Sequence, residues 1–193
     1  MTDTAPTGLV RAVRALDQVN LWTGRLIGWL ILPMVMSLVY EVTARYLFNA
    51  PTIWAYDMTY MLYGTFFMVG AGYTLMRGGH IRTDMFYANW SPRTQGAVDA
   101  TCYALFFFPA IIAFLWVTWP FFFGSFMRGE RIVSSPWMPV IYPLKFMLPL
   151  TCTLLLIQGV AEFLRSIHAM RTGEWLQRPT ATAPASDEDR PNV

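Results

Sequence analysis

Charged side chains are scarce in this sequence. Only 13% of its 193 residues are Asp, Glu, Lys or Arg, whereas a soluble domain carries about 25%. The stretches 58–76 and 100–127 contain none of these residues. Each stretch is long enough to cross a hydrocarbon core of about 30 Å. The scarcity of charge therefore argues against a soluble domain and predicts an integral membrane protein.

Residues that bind metals or perform catalysis are also few. The sequence has two cysteines and two histidines, and it contains no nucleophile–base arrangement, phosphate-binding loop or cluster of metal ligands. Cys102 and Cys152 fall within apolar segments, where packed thiols are expected rather than a disulfide or a metal pair. The net charge of +2 is small and unclustered, which argues against nucleic-acid binding. These features predict a protein that is not an enzyme and has no cofactor.

Four long apolar segments organise the chain, at about 22–47, 56–77, 97–125 and 142–165. The stretch 106–123 has no polar face, although a core helix of a soluble protein normally has one. We therefore expect an all-α integral membrane protein with four transmembrane helices.

The two ends of the chain differ from the membrane domain, which we expect to cover residues 9–170. Residues 1–8 are predicted to be flexible. The next residues place apolar side chains at helical spacing, with Arg11, Arg14 and Gln18 largely on the other side; the apolar ones are Leu9, Val10, Val13 and Leu16. This pattern predicts a short amphipathic helix along the membrane interface, with an extension of the first span into water as the alternative. Residues 171–193 form a tail in which disorder is expected from about 179.

Positive charge is distributed unevenly between the two sides of the predicted bundle. With four spans, both termini and the loop between the second and third spans share one side, which collects nine arginines. The other side has four basic residues. Because basic residues accumulate on the cytoplasmic side of membrane proteins, both termini are predicted to be cytoplasmic.

Glycines lie at four positions where helices could approach each other closely. Gly24 and Gly28 form a GxxxG pattern in the first span, and Gly70 and Gly72 lie in the second. Small residues let transmembrane helices pack closely. We therefore expect these glycines at helix–helix contacts.

Glu41 and Arg45 are the sharpest polar feature within a span. Their i to i+4 spacing places them on one helix face, where pairing lowers the cost of holding charge near hydrocarbon. Asp57 enters the first turn of the second span, where the helix dipole stabilises an acid, and it lies within reach of Arg45 across the hairpin. We interpret the three residues as a structural charge network. A proton or ion relay is the alternative, but no further ionisable groups continue it through the other spans.

The loop after the second span carries His80, Arg82 and Asp84. Arg82 and Asp84 could hold His80 in one tautomer. However, His80 has no second histidine or cysteine at the spacing of metal ligands. We interpret this segment as a structural or docking loop rather than a metal or haem site.

The longest outer loop precedes the fourth span. It contains Arg128, Arg131 and Trp137 together with three prolines. A charged, aromatic and semi-rigid loop is suited to contact another protein, so these three residues are candidates for that contact. An aromatic belt with solvated charges is the alternative.

The order and spacing of several short motifs resemble the small permease subunit (Q-type, DctQ-like) of tripartite ATP-independent periplasmic (TRAP) transporters. The resemblance covers about residues 15–170. The matching positions in chain order are Glu41-x-x-x-Arg45-Tyr46, Phe48-Asn49, Trp54, Gly70-Ala71-Gly72-Tyr73-Thr74-Leu75, His80-Ile81-Arg82-x-Asp84, Trp137, Pro139, Tyr142, Pro149 and Gln158-Gly159. Asp57 departs from the family, which often has Glu there. The stretches 142–145 and 161–165 look most like the branch labelled mannitol/chloroaromatic.

The resemblance implies a division of labour in a bacterial inner membrane. A periplasmic binding protein captures an organic acid, and a large permease subunit holds the substrate and sodium sites. The small subunit, in contact with membrane lipids, braces the large one and helps to receive the binding protein. A self-assembling small channel or transporter is the main alternative, and a membrane redox anchor is a weaker one. Both lack support from the residues, because the spans offer neither a continuous polar face nor haem ligands.

Overall fold

Helices make up most of the chain that the structure, a computed structural model, describes: residues 7–78, 87 and 90–176. In chain order they are α1 (Thr7–Gly28), α2 (Ile31–Leu47), α3 (Ala55–Met76), α4 (Pro92–Cys102), α5 (Phe108–Met127) and α6 (Tyr142–Thr172), with a π-helical turn at Tyr103–Phe107 between α4 and α5. Within these residues the only β pairing is an isolated bridge between Arg131 and Val140. The all-α prediction is confirmed.

Three helical stretches are long and apolar enough to cross a membrane: Gly8–Leu47, Pro92–Met127 and Tyr142–Thr172. They contain the predicted first, third and fourth spans. The bounds of α3 lie within one residue of those expected for the second span. However, α3 is not among the three stretches, since its tyrosines, threonines and glycines lower its mean hydropathy. Length and composition thus establish three candidate spans rather than four.

The first predicted span is broken, because α1 ends at Gly28 and α2 begins at Ile31. Pro33 explains the break: proline has no N–H, and its ring clashes with the carbonyl one turn earlier. Between the two helices, hydrogen bonds between residues three apart replace the helical ones. One of them joins the Leu30 N–H to the Ile27 carbonyl at 3.0 Å. The residues expected in a short interfacial helix are the start of α1, which continues without interruption to Gly28.

A second proline shapes the join between α4 and α5. Pro109 lies in the first turn of α5, and the turn before it widens to the π form, in which the Phe108 N–H donates to the Tyr103 carbonyl. This turn directs the Phe107 ring onto Gly159 of α6, where an added Cβ would lie 2.3 Å from the ring. The missing side chain at Gly159 therefore allows α5 and α6 to pack closely.

The helix α6 is the centre of the bundle. It contacts α1, α3, α4 and α5, and it carries more buried residues than any other helix in the described part of the chain. By contrast, α2 packs mainly against α3, and Ser37 is its one buried residue. The bundle therefore has a well-packed centre at α6. The helix α2 lies at the periphery, and the rest of the chain covers little of its surface.

Candidate functional site

Glu41 and Arg45 form an ion pair near the C-terminal end of α2. The Arg45 Nε donates to Glu41 Oε1 at 2.8 Å, and Arg45 Nη2 donates to the same oxygen. The second carboxylate oxygen accepts the backbone N–H of Thr52 at 3.0 Å and also the Thr52 hydroxyl. Glu41 thus connects α2 to the short loop that precedes α3.

Asp57 lies apart from this pair. It is buried in the first turn of α3, and its Oδ2 accepts a hydrogen bond from the Ser135 hydroxyl. The same hydroxyl accepts the backbone N–H of Trp137 at 3.2 Å. Asp57 therefore joins α3 to the loop between α5 and α6, whereas Glu41 and Arg45 join α2 to the loop before α3.

The loop 128–141, between α5 and α6, is a folded hairpin. The Ile132 N–H donates to the Pro139 carbonyl at 3.0 Å, and Arg131 Nη1 donates to the Met138 carbonyl at 3.1 Å. Arg131 therefore helps to close the hairpin. Arg128 and Trp137, the other two candidates for protein contact, are exposed, as is the neighbouring Val133.

Glu130 anchors this hairpin to α6 through Lys145. Lys145 Nζ donates to Glu130 Oε2 at 2.7 Å and lies 4.2 Å from the centre of the Phe121 ring. Arg128 Nη2 also lies near this carboxylate, at 3.9 Å from the same oxygen. The hydrogen bond from Lys145, together with the charges of Lys145 and Arg128, lowers the pKa of Glu130 below its ordinary value.

A second charged cluster lies in the bundle interior, between α1 and α6. Arg165 donates from Nη1 to Glu162 Oε1 at 2.6 Å and from Nη2 to Asp17 Oδ2. The Gln158 amide nitrogen donates to Asp17 Oδ1 at 3.0 Å and to Glu162 Oε1 at 3.3 Å. Asn20 completes the cluster by donating to Gln158 Oε1 at 3.1 Å. We call these five residues the inner network.

The inner network is almost completely removed from solvent, since none of its residues is more than 2% exposed. Two carboxylates, those of Asp17 and Glu162, face the one guanidinium of Arg165. The hydrogen bonds given above for these two carboxylates come from Arg165 and Gln158, which belong to the inner network themselves. Buried charges persist only where they are paired and hydrogen-bonded. The helical rise places Gln158 and Arg165 about 24 and 35 Å from the start of α6, so the inner network extends from the middle of α6 away from the loops 48–54 and 128–141.

The inner network was not predicted from the sequence, although the sequence carries a signal for it. Gln158, Glu162 and Arg165 are spaced i, i+4 and i+7, which places them on one face of a helix. Asp17 and Asn20, three residues apart, share a face of α1 in the same way. By sequence, however, Asp17 belongs to a polar N-terminal region, and nothing in the local pattern indicates that this region packs against the last helix.

The four candidate packing glycines fall into two groups. An added Cβ at Gly24 would lie 2.3 Å from the Tyr73 ring, and one at Gly72 would lie 2.3 Å from Asn20 Oδ1. At Gly28 and Gly70, a Cβ would meet nothing within 4 Å. Gly24 and Gly72 thus lie where α1 and α3 meet, whereas Gly28 and Gly70 face open space.

His80, Arg82 and Asp84 lie outside the described residues. Among the residues that are described, no group of three or more His, Cys, Asp or Glu side chains could hold a metal ion. Cys102 is exposed and Cys152 is buried, and both are free thiols. The charged groups described above are positioned to hold helices and loops together.

Fold and site together define a helical membrane protein whose charged groups join its own elements. A family model described as the DctQ component of tripartite ATP-independent periplasmic transporters matches residues 34–169. The chain therefore belongs to the DctQ family and is a small membrane subunit of a TRAP transporter, a transporter component rather than a known type of enzyme. The match begins in α2, so Asp17 and Asn20 on α1 lie outside it. No curated protein matches the chain.

Proposed function

We propose that this chain is the non-catalytic subunit of a sodium-coupled importer of an organic acid, in which it braces the scaffold of a large permease subunit. The observation that carries this proposal is the inner network. It is the largest group of buried charges in the described part of the chain, and its side chains are bonded to one another across α1 and α6. Charges paired with each other in this way fix helix positions, although the Arg165 Nε and the Asn20 Oδ1 have no hydrogen-bond partner within the described residues.

In this proposal the chain crosses a bacterial inner membrane four times, with α3 as the additional span and both termini in the cytoplasm. The 22 residues of α3 would extend about 33 Å, enough for the hydrocarbon core. Its lower hydropathy is then explained by contact with protein on more than one side. The uneven distribution of arginines supports the orientation.

The outer ends of the helices are proposed to hold a structural charge network with two branches. Glu41 and Arg45 fix the loop before α3, while Asp57 fixes the hairpin 128–141 through Ser135. A hairpin fixed in this way is a suitable platform for the periplasmic binding protein, and Arg128, Arg131 and Trp137 are its candidate contacts. The substrate branch labelled mannitol/chloroaromatic stays a prediction.

Co-purification tests the proposal most simply. An affinity tag on this chain, expressed with the rest of its transporter, should recover a large multi-span permease from detergent-solubilised membranes. A tag of the same kind on an unrelated four-span protein is the control. Recovery of this chain alone or as a homo-oligomer would contradict the proposal and favour a self-assembling channel.

A further inference from the structure

The outward face of α2 and α3 carries polar groups at positions that would lie within a membrane. Tyr56, Tyr60 and Tyr63 form one stripe along α3, with 80%, 53% and 55% of each residue exposed. Tyr40 of α2 is similarly exposed at 55%. The side chain of Arg45, next to them, is 51% exposed. We call these five residues the tyrosine face.

The tyrosine face borders a groove between the two helices. The groove has a volume of about 310 Å³, and Leu38, Ala55 and Thr59 line it together with Glu41 and four members of the tyrosine face. Glu41 already accepts bonds from Arg45 and Thr52 through both oxygens. Arg45 bonds Glu41 through Nε and Nη2, so among the described residues its Nη1 is free to donate to a group that enters the groove.

Lipid hydrocarbon would leave the hydroxyl groups of the tyrosine face without hydrogen-bond partners. In the described part of the chain, no residue hydrogen-bonds the hydroxyl of Tyr40, Tyr56, Tyr60 or Tyr63. Tyr60 and Tyr63 lie about 8 and 12 Å along α3 from its first residue, deeper than the interfacial belt in which tyrosine is normally found. A buried hydroxyl without a partner costs free energy, whereas a neighbouring helix can supply acceptors through carbonyl and side-chain oxygens.

One face of α5 provides the contrast. Trp116 and Trp119, whose indole N–H groups can donate hydrogen bonds, are exposed on another face of this helix. The face that carries Phe114, Val117 and Phe121 is also 50% or more exposed, but these side chains have no hydrogen-bonding group. Lipid acyl chains alone can cover such a surface, because it contains no group that needs a hydrogen-bond partner. The two faces therefore differ in the kind of neighbour that suits them.

We infer that a transmembrane helix of the large permease subunit covers the tyrosine face, presenting hydrogen-bond acceptors to the tyrosines and to Arg45. This inference rests on the proposed function for the identity of the partner. The peripheral position of α2, which packs mainly against α3, leaves room for such a helix.

Site-specific photo-crosslinking distinguishes the possible occupants. We would place benzoylphenylalanine at Tyr60 and, as a matched control, at Phe114, since both are aromatic and are exposed by 53% and 55%. The whole transporter is irradiated in its native membrane. The expected result is an adduct with the large permease from position 60 and only phospholipid adducts from position 114.

Other adducts would overturn the inference in distinct ways. If the permease co-purifies but position 60 yields only phospholipid or a second copy of this chain, the tyrosine face is covered by something else. A permease adduct from position 114 alone would place the partner on α5. If no permease accompanies the unmodified chain, the proposed function fails first and this inference falls with it.

A milder pair of variants tests the hydroxyls themselves. Tyr60→Phe and Tyr63→Phe keep the rings and remove only groups that bond nothing in the described chain, so the isolated subunit should unfold at an unchanged temperature. Each change should weaken association with the permease roughly three-fold, as expected for an interhelical hydrogen bond in a membrane. Unchanged association in the double variant would contradict a role for the hydroxyls.

Discussion

The guanidinium of Arg165, near the end of α6, donates a hydrogen bond to the carboxylate of Asp17 on α1. The two residues are 148 positions apart in the chain, and both are buried. This bond closes the bundle between its first and last helices. Because the single cation of the inner network is shared by two carboxylates, removal of the cation and removal of one carboxylate should destabilise the subunit to different extents.

Substitutions in the inner network should destabilise the isolated subunit to different extents. Arg165→Ala leaves Asp17 and Glu162 buried without a cation and should cost about 3–5 kcal/mol. Asp17→Ala removes one acceptor but leaves Arg165 paired with Glu162, so we expect about 1–3 kcal/mol. Asp17→Asn keeps one acceptor but turns an amide donor toward Arg165 or Gln158, so it should also cost less than Arg165→Ala without being neutral. Unfolding temperatures in detergent measure the order.

Gln18→Ala is the matched control for the inner network, because Gln18 follows Asp17 on α1 but is exposed. It should leave the unfolding temperature unchanged. An Arg165→Ala variant as stable as Gln18→Ala would show that the inner network does not hold α1 against α6.

The sequence predicted the helical class and the approximate positions of the apolar segments, because scarcity of charge over twenty or more residues is itself the physical requirement for a span. Two features required the three-dimensional structure. The break before Ile31 depends on how a proline is accommodated, since prolines such as Pro149 lie within continuous helices. The pairing of Asp17 with Arg165 joins distant segments, and local periodicity carries no information about which helices become neighbours.

Asp57 illustrates the same limit at the end of the bundle that carries the hairpin 128–141. Its position in the first turn of α3 followed from the sequence, as did the pairing of Glu41 with Arg45 one turn apart. Its hydrogen bond with Ser135 did not, because the conformation of the hairpin 128–141 decides which side chain reaches the buried carboxylate.

Gly72 and Gly70 provide a comparison of close packing with open space on one helix. A Cβ at Gly72 would lie 2.3 Å from Asn20 Oδ1 and 3.3 Å from Leu154 Cβ, so Gly72→Ala should destabilise the subunit by about 1–3 kcal/mol through overpacking. Gly70→Ala meets nothing within 4 Å and should be neutral or slightly stabilising, since alanine favours helix. Equal unfolding temperatures for the two variants would contradict the packing of α1 against α3.

The Glu130–Lys145 pair predicts an acid-dependent change in the hairpin 128–141. Because pairing lowers the pKa of Glu130 from its ordinary 4.5, the ionised pair stabilises the hairpin above pH 4.5. This stabilisation is lost as the pH falls through the lowered pKa. An environment-sensitive fluorophore on Val133→Cys, with the exposed Cys102 changed to Ser, should report a transition with a midpoint below pH 4.5.

Glu130→Gln is the control for this titration, because it removes the ionisable group while preserving the shape of the side chain. The acid transition of the fluorophore should disappear. A transition that persists unchanged in Glu130→Gln would assign it to another group and contradict the pairing as its cause.

Arg128 tests the hairpin 128–141 as a docking platform. Its side chain is 72% exposed, whereas Arg131 bonds the hairpin's own Met138 carbonyl, so Arg128→Glu is the cleaner charge reversal. It should weaken binding of the periplasmic protein to the membrane complex and reduce uptake by cells, while the complex itself co-purifies as before. Arg171→Glu, a reversal of an exposed charge at the opposite end of the bundle, is the control. Unchanged binding in Arg128→Glu would remove this residue from the docking surface.

Transport assays in liposomes test the central claim, that this chain braces a transporter and does not conduct substrate itself. Liposomes would contain either this chain alone or this chain with the large permease, and both would receive the binding protein, an inward sodium gradient and radiolabelled dicarboxylic, 2-oxo and hydroxy acids. We predict uptake of at least one acid only when the permease is present, with the chain alone equal to empty liposomes. Sodium-dependent uptake by the chain alone would contradict the account.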